Sequence, residues 1–329
     1  MSCFHPRVMG CRVDPYTGEV QYKFLGIAES GFNPSLAGDV SSLSSDGSYH
    51  FIVPCRKCLG CQIDYSREWR DRMIFELHDN PKAIFLTLTY NDAHLSFSDK
   101  GCPTLVVSDV QKFMKRLRKH FTGTRIRYYL AGEYGTLNLR PHYHAIIYGI
   151  DLADFSDLYL RGNNELKQAY YSSPTMERIW KNGFILMSEV TSRTCAYVAR
   201  YVMKKQGKNS DIHVSRGTLP EFNLSSRNPG LGLLNSRDYV LSGNNMFGFD
   251  GRDGSISISL PKSMLRNVRR NASQEELDII DRIVYNRSMD AAARLRSNLD
   301  VLGLEFGDFL KGKEKSLTSK IKLLPERNI

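Results

Sequence analysis

Arg140-Pro141-His142-Tyr143-His144-Ala145-Ile146-Ile147 is the stretch on which the fold turns. It reads as a β-strand over 142–149. Side chains at i and i+2 of a strand share a face. His142, His144, Ile146 and Tyr148 therefore lie on one side, and Tyr143, Ala145 and Ile147 on the other. Both imidazoles can reach one metal ion without distorting the backbone. Upstream, Ile126-Arg127-Tyr128-Tyr129-Leu130-Ala131 reads as a second strand, 126–132, ending at Gly132-Glu133-Tyr134-Gly135. Asn138 to Pro141 read as the turn between them. Hairpin pairing would set Glu133 beside the histidines. Two His and one carboxylate leave coordination positions open, as a catalytic metal requires. The competing account is a hairpin with two chance histidines.

Further on, Thr194-Cys195-Ala196-Tyr197-Val198-Ala199-Arg200-Tyr201-Val202-Met203-Lys204-Lys205 reads as a helix. At about 100° per residue, Cys195, Ala196, Val198, Ala199, Val202 and Met203 gather on one side. Tyr197, Tyr201 and Lys204 gather opposite them, within roughly 60°. The plain account makes both tyrosines rim residues of an amphipathic helix. Beside a His/His/Glu site they read instead as nucleophiles. A phenol with a free pKa near 10 needs help, and a metal-polarised phosphate with a neighbouring Lys supplies it. The pattern points to phosphoryl transfer onto tyrosine.

In order along the chain come the strand Phe85-Leu86-Thr87-Leu88-Thr89-Tyr90, the Glu133 lead, the Pro-His-Tyr-His strand and the Tyr197/Tyr201/Lys204 helix. This series resembles the HUH endonuclease superfamily of rolling-circle initiators. More narrowly, it resembles the replication initiation proteins of gokushovirus-type microviruses, small single-stranded DNA phages. Val53-Pro54-Cys55-Arg56-Lys57-Cys58, Trp69 and Arg72 are also similar to that group. The resemblance covers about residues 1 to 206. It implies a ferredoxin-like or RRM-like core with the metal on the open face of the sheet. Tyr201-x-x-Lys204 matches the single-tyrosine pattern of related initiators, and Tyr197 completes the two-tyrosine pattern.

The chain has 329 residues, room for a full core and a second domain. Its 45 Lys and Arg outweigh 35 Asp and Glu, a formal charge of +10 that attracts polyanions such as a phosphate backbone. No apolar run approaches the roughly 20 residues that span a bilayer. Met1-Ser2-Cys3-Phe4-His5-Pro6-Arg7 lacks the apolar core of a signal peptide. The expected location is the cytoplasm of a bacterial host, where seven cysteines do not build a disulfide framework. Three of them form Cys55-Arg56-Lys57-Cys58-Leu59-Gly60-Cys61, a double C-x2-C knuckle. An iron–sulfur run would want a fourth Cys where Tyr65 stands. A structural zinc is expected instead, held by Cys55, Cys58, Cys61 and Cys3, with His5 or Cys11 as substitutes for the last. Three free thiols are the alternative.

The expected fold is α+β: an antiparallel sheet with helices on one face, an N-terminal Cys-rich knuckle and a C-terminal extension. The expected sections are 1–81, with the knuckle and a helix from Ile63 to His78; 82–206, the endonuclease core; and 207–329. Arg67, Arg70 and Arg72 read as a solvated face. In the core, strand 83–90 precedes a helix from a Ser108 N-cap to His120, with Val110, Phe113, Met114 and Leu117 at helical spacing. Residues 151 to 181 read as a partly helical insertion, and 183–190 as a strand. Residues 207 to 259 read as loops with a short hairpin turning at Asp250–Gly254, before a helix from Gln274 to Leu299. The basic tail from Lys311 reads as disordered. With no Walker A loop, helicase work falls to a host protein.

The leading function is thus a metal-dependent nickase and strand transferase acting on single-stranded origin DNA through a 5′-phosphotyrosine. Mg2+ or Mn2+ is the expected catalytic ion, and host helicase and polymerase the expected partners. A second reading is a non-catalytic, zinc-containing single-stranded nucleic-acid binder that stacks bases on Tyr128, Tyr129 and Tyr143. A third is a metal-dependent hydrolase using activated water, which needs no tyrosine.

Overall fold

The computed structural model describes residues 3–14, 16–27, 49–135, 138–163, 168–201 and 210–322. Its contacts divide the chain into two compact units, Met1–Asp64 with Ser273–Ile329, and Tyr65–Ala272. In the first unit β1 (Arg7–Val13) lies between β2 (Val20–Ile27) and β3 (Tyr49–Val53), antiparallel to both. α1 (Leu59–Asp79) starts inside the knuckle, earlier than apolar spacing alone indicates. The knuckle sets its first turn, with the Gln62 N–H donating to the Cys58 carbonyl at 3.1 Å.

The second unit is built on a sheet. Its elements are β4 (Ala83–Thr89), α2 (Val107–His120), β5 (Arg127–Tyr134), β6 (Pro141–Tyr148), β7 (Tyr159–Asn163) and β8 (Ala169–Ser172). Then come α3 (Pro174–Trp180), β9 (Ile185–Glu189), α4 (Ser192–Ala199), α5 (Ser210–Arg216) and β10 (Phe222–Ser225). The seven strands run in the order β10-β5-β6-β4-β9-β8-β7, antiparallel throughout. The fold is α+β, as expected.

Strand alternation gives the sheet two different faces. One carries Ile84, Leu86, Leu88, Leu130, Tyr143, Ala145, Ile147, Ile185 and Met187, packed with Val110, Phe113, Met114 and Leu117 of α2 and Met176 and Trp180 of α3. The other carries Phe85, Thr87, Tyr129, Glu133, His142, His144, Ile146 and Tyr148. Helices on a single face were expected, and here the structure differs. On the histidine side, Trp69 of α1 lies 5.0 Å from Tyr129, and the Tyr148 hydroxyl donates to the Met73 carbonyl at 3.1 Å. The Arg127 guanidinium is gripped by both carboxylate oxygens of Glu76, both side chains buried. Tyr197 of α4 covers Phe85 and His144. A sheet apolar on both sides needs both sides covered.

Four local expectations also change. Val106, not Ser108, caps α2, because the Val106 and Leu105 N–H groups donate to the Tyr143 and Tyr134 hydroxyls and fix the approach. The insertion is mainly the β7–β8 hairpin, which widens the sheet, followed by α3. The region past 206 is more ordered than loops: β10 pairs with β5, Phe222 opposite Gly132. Arg70 and Arg72 are not a solvated face. Arg70 is tied to Asp71, and Arg72 lies over the Trp69 ring at 4.2 Å while donating to the Leu231 carbonyl.

After α6 (Ser236–Leu241), the expected hairpin is β11 (Met246–Gly251) with β12 (Gly254–Ser259), then α7 (Lys262–Arg269). α8 (Gln274–Leu302) and α9 (Phe306–Lys322) belong to the first unit. The basic tail is therefore helical to Lys322. Phe306, Phe309 and Leu310 form an apolar stripe buried with Val8 and backed by Ile52, Leu295 and Leu299. Residues 323–329 lie outside the described residues.

Candidate active site

The pairing register does the assembly. Glu133 on β5 stands opposite His142 on β6, and His144 stands between Ala131 and Thr87. Glu133 Oε1 lies 2.9 Å from His142 Nε2 and 3.1 Å from His144 Nε2. His142 Nδ1 faces the Arg140 carbonyl at 3.1 Å. A carbonyl only accepts, so Nδ1 carries the proton and the Nε2 lone pair points into the cluster. His144 Nδ1 lies 3.1 Å from Thr87 Oγ1, which fixes that ring in the same sense.

Glu133 and His144 are buried, and His142 is partly so. Burial alone would raise the Glu133 pKa. Hydrogen bonds from His142 and His144, and their charge, outweigh it and hold the carboxyl well below the usual range. The set is thus an ionised carboxylate with two imidazole nitrogens. Adjacent ligands of an octahedral ion with bonds near 2.1 Å sit about 3 Å apart. The observed spacings match such an edge, so these residues fit a hard or borderline divalent cation.

Tyr197 and Tyr201 converge on the same place. The Tyr201 ring lies parallel to His144, centroids 5.1 Å apart, and the Tyr197 ring meets His144 edge-on at 5.4 Å. The Tyr201 hydroxyl donates to the Tyr197 hydroxyl. Burial raises both phenols above 10, and the Glu133 charge adds to it for each. The bond between them acts oppositely on the two: it lowers Tyr197, the acceptor, and raises Tyr201, the donor. Lys204 lies outside the described residues.

The chain before Tyr197 is held at two points. Thr191 caps α4 in a reciprocal box with Thr194. Asp253, in the β11–β12 turn, accepts from the Ser192 N–H at 3.2 Å, the Ser192 hydroxyl at 2.7 Å and the Arg193 N–H at 3.0 Å. Sequence reasoning missed Asp253, because nothing local marks a turn aspartate that binds a helix some sixty residues earlier. Phe85, whose ring lies parallel to His144 at 5.7 Å, and Thr87 were inside the first recognised strand but had no assigned part.

The cysteines gather separately. The Cys3, Cys55, Cys58 and Cys61 sulfurs all lie within 4.8 Å of one another. Cys58 and Cys3 are 3.8 Å apart, and Cys55 and Cys61 3.9 Å. Four sulfurs bound tetrahedrally at about 2.3 Å sit about 3.8 Å apart. Burial pushes the Cys3 thiol up to about 11 and Cys61 further. Cys55 comes down to about 7 despite its burial, through the N–H groups of Cys58 and Lys57. Burial of the thiols leaves a cation as the natural counter-charge for thiolates.

The base-stacking platform of the binding-only reading does not form. Tyr129 and Tyr143 are both fully buried, and they lie on opposite faces of the sheet. Among the described residues no helix is long and apolar enough to cross a membrane.

A sheet that presents a carboxylate and two histidines to a pair of tyrosines belongs with proteins of replication. The family described as replication-associated protein ORF2 matches residues 83–206, from β4 through the tyrosines. The chain is 31% identical to replication-associated protein ORF2 of Spiroplasma virus 4 over 296 residues, 87% of this chain and 89% of that protein. It is 34% identical to replication-associated protein VP4 of Bdellovibrio phage phiMH2K over 193 residues, 56% of this chain and 58% of that one. It is 31% identical to replication-associated protein ORF4 of Chlamydia phage 1 over 190 residues, 54% of this chain and 46% of that one. The chain belongs to the replication-associated proteins of microviruses. No solved structure matches it.

Proposed function

We propose that the chain initiates rolling-circle replication by nicking and rejoining single-stranded origin DNA through tyrosine, on an HUH-type core of the ferredoxin-like or RRM-like kind. The observation that carries this is the contact of both phenols with the Glu133/His142/His144 set. Glu133, His142 and His144 would hold Mg2+ or Mn2+, which supplies orientation of the phosphate and neutralisation of its developing charge.

The chain's own residues do the rest. A phenolic oxygen forms a bond to the scissile phosphorus, and the P–O3′ bond breaks. The proton lost by the phenol balances the one gained by the departing 3′ oxygen, which becomes the primer hydroxyl. Tyr201 donating to Tyr197 favours charge on the Tyr197 oxygen, and Lys204 is given a like part by its place in the sequence pattern. The 5′ end stays on tyrosine, so bond energy is kept. The second phenol can make the later cut, and the freed 3′ hydroxyl reseals the circle. The Cys3/Cys55/Cys58/Cys61 set holds a structural zinc, since four thiolates leave no place for substrate. The protein works in the cytoplasm of a bacterial host with that cell's helicase and polymerase.

Incubation with labelled single-stranded origin DNA and Mn2+ should give a covalent adduct on a denaturing gel. EDTA, or Tyr197→Phe with Tyr201→Phe, should abolish it. An adduct that persists in the double variant overturns the assignment. Nicking without any adduct means that water is the nucleophile.

A further inference from the structure

Val110, Phe113, Met114 and Leu117 face α2 inward, so its cations face out. Grooves of about 380 Å³ open beside two stretches of this helix. Gln111 and Arg118 line the first, with Tyr128, Ser225, Ser226 and Arg227. Arg116, Lys119 and His120 line the second, with Thr175 and Arg178. Arg116 is committed to the Ile179 and Trp180 carbonyls, at 2.6 and 2.7 Å, where it caps α3. Arg118, Lys119, Arg178 and Arg227 make no ion pair with a described residue, and no described carboxylate lines either groove. Like charges kept close without counter-charge are met by a polyanion.

We propose that the C-terminal half of α2 and these two grooves form a second binding surface for single-stranded DNA, away from the tyrosines. Tyr128 and Tyr129 are successive on β5, so they point to opposite faces. The surface containing Tyr128 is therefore on the side of the sheet remote from Glu133 and the histidines. The Arg118 guanidinium lies over the Tyr128 ring at 5.7 Å, giving flat π surface of the sort on which bases stack. Gln111, Ser225 and Ser226 add hydrogen-bonding groups. Each groove falls in the range of small-ligand sites, about 300–1,000 Å³, and suits an unstacked base rather than the convex rod of a duplex. The cations track phosphates across the helix. A strand held here keeps the cleavage site free, so DNA can be retained between successive cuts.

The test is fluorescence anisotropy of a labelled thymidine 20-mer with the full chain in EDTA, carrying Tyr197→Phe and Tyr201→Phe so that cleavage plays no part. Arg118→Glu with Arg227→Glu, and separately Lys119→Glu with Arg178→Glu, should each weaken binding about tenfold or more. The log–log salt slope should drop by about 1.4 in each, at about 0.7 per lost phosphate contact. Tyr128→Leu should weaken binding about fivefold or more, with less change in slope. The charge reversals lie at the surface and keep the test sound if Tyr128→Leu fails to fold. In the chain with both tyrosines, nicking of a short oligonucleotide confined to the scissile site should be unchanged by the charge reversals. Wild-type affinity in both reversed pairs, or tighter binding of duplex than of the 20-mer, overturns the proposal. So does an equal loss of nicking on the short oligonucleotide, which would assign these cations to the tyrosine site. Failure of the tyrosine chemistry would leave the binding result standing.

Discussion

In the cysteine cluster, Cys3 comes from the start of the chain and the rest from 55–61, and the four thiols close on one another. In the Glu133/His142/His144 cluster, three ligands sit on two paired strands, with phenols from another element completing the surround. The first offers four like ligands and no room for substrate. The second offers three and meets a nucleophile. Damage to the first should therefore be read in stability, and damage to the second in turnover.

Breaking the closed cluster should have the largest effect. Cys58→Ser removes one of four sulfurs and should cost about 3 kcal/mol or more, a part of the site's folding free energy. Thermal unfolding with and without chelator measures it. Elemental analysis should give about one zinc per chain, and iron or no metal would break the comparison. Next comes the open cluster. His142→Ala or His144→Ala should lower nicking at least about a hundredfold while affinity for single-stranded DNA holds, since phosphate contacts lie elsewhere. Their unfolding should shift less than that of Cys58→Ser. A stability loss equal to the cysteine variant's would erase the distinction. Glu133→Gln should weaken the metal dependence, and an unchanged Mn2+ titration would remove Glu133 from the ligands.

Smaller effects sharpen the picture of the open cluster. Asp253→Ala leaves the start of α4 without its three hydrogen bonds and should cost about 1 kcal/mol. Adduct formation should slow with little change in DNA affinity, because the phenols lose alignment. Burial opposes ionisation of Asp253, but the Ser192 and Arg193 donors win and depress its pKa. A depressed native pKa gives stabilisation that is full above the unfolded carboxylate value and is lost as pH falls through the native one. The wild type's advantage over Asp253→Ala should thus shrink below about pH 4 in acid unfolding curves. Both phenols are raised above 10, so they stay protonated at neutral pH and the rate of adduct formation should climb as pH rises from about 7 to 9. A flat profile would mean that phenol ionisation does not limit the step.

The sequence exposed the open cluster because strand periodicity is local. His142 and His144 need only their own strand to share a face, and one turn carries that face to Glu133. The tyrosines follow from helical spacing, since Tyr197 and Tyr201 are four apart. What stayed hidden depends on partners far along the chain. Periodicity says that α1 has an apolar face through Met73 and Ile74, but not that it covers the histidine side of the sheet. Phe222–Ser225 is too short and too polar to announce a strand before β5 offers an edge. Arg72 looks solvated until the Leu231 carbonyl and the Trp69 ring receive it. In α9 the lysines mask the stripe of Phe306, Phe309 and Leu310, whose burial needs Val8.

Mass spectrometry of the protease-digested adduct with single-stranded origin DNA tests the central claim most directly. The predicted result is a nucleotide-linked peptide with the phosphate on Tyr197 or Tyr201, present with Mn2+ and lost in His144→Ala. Phosphate on any other residue, or an undiminished adduct in His144→Ala, would contradict the account.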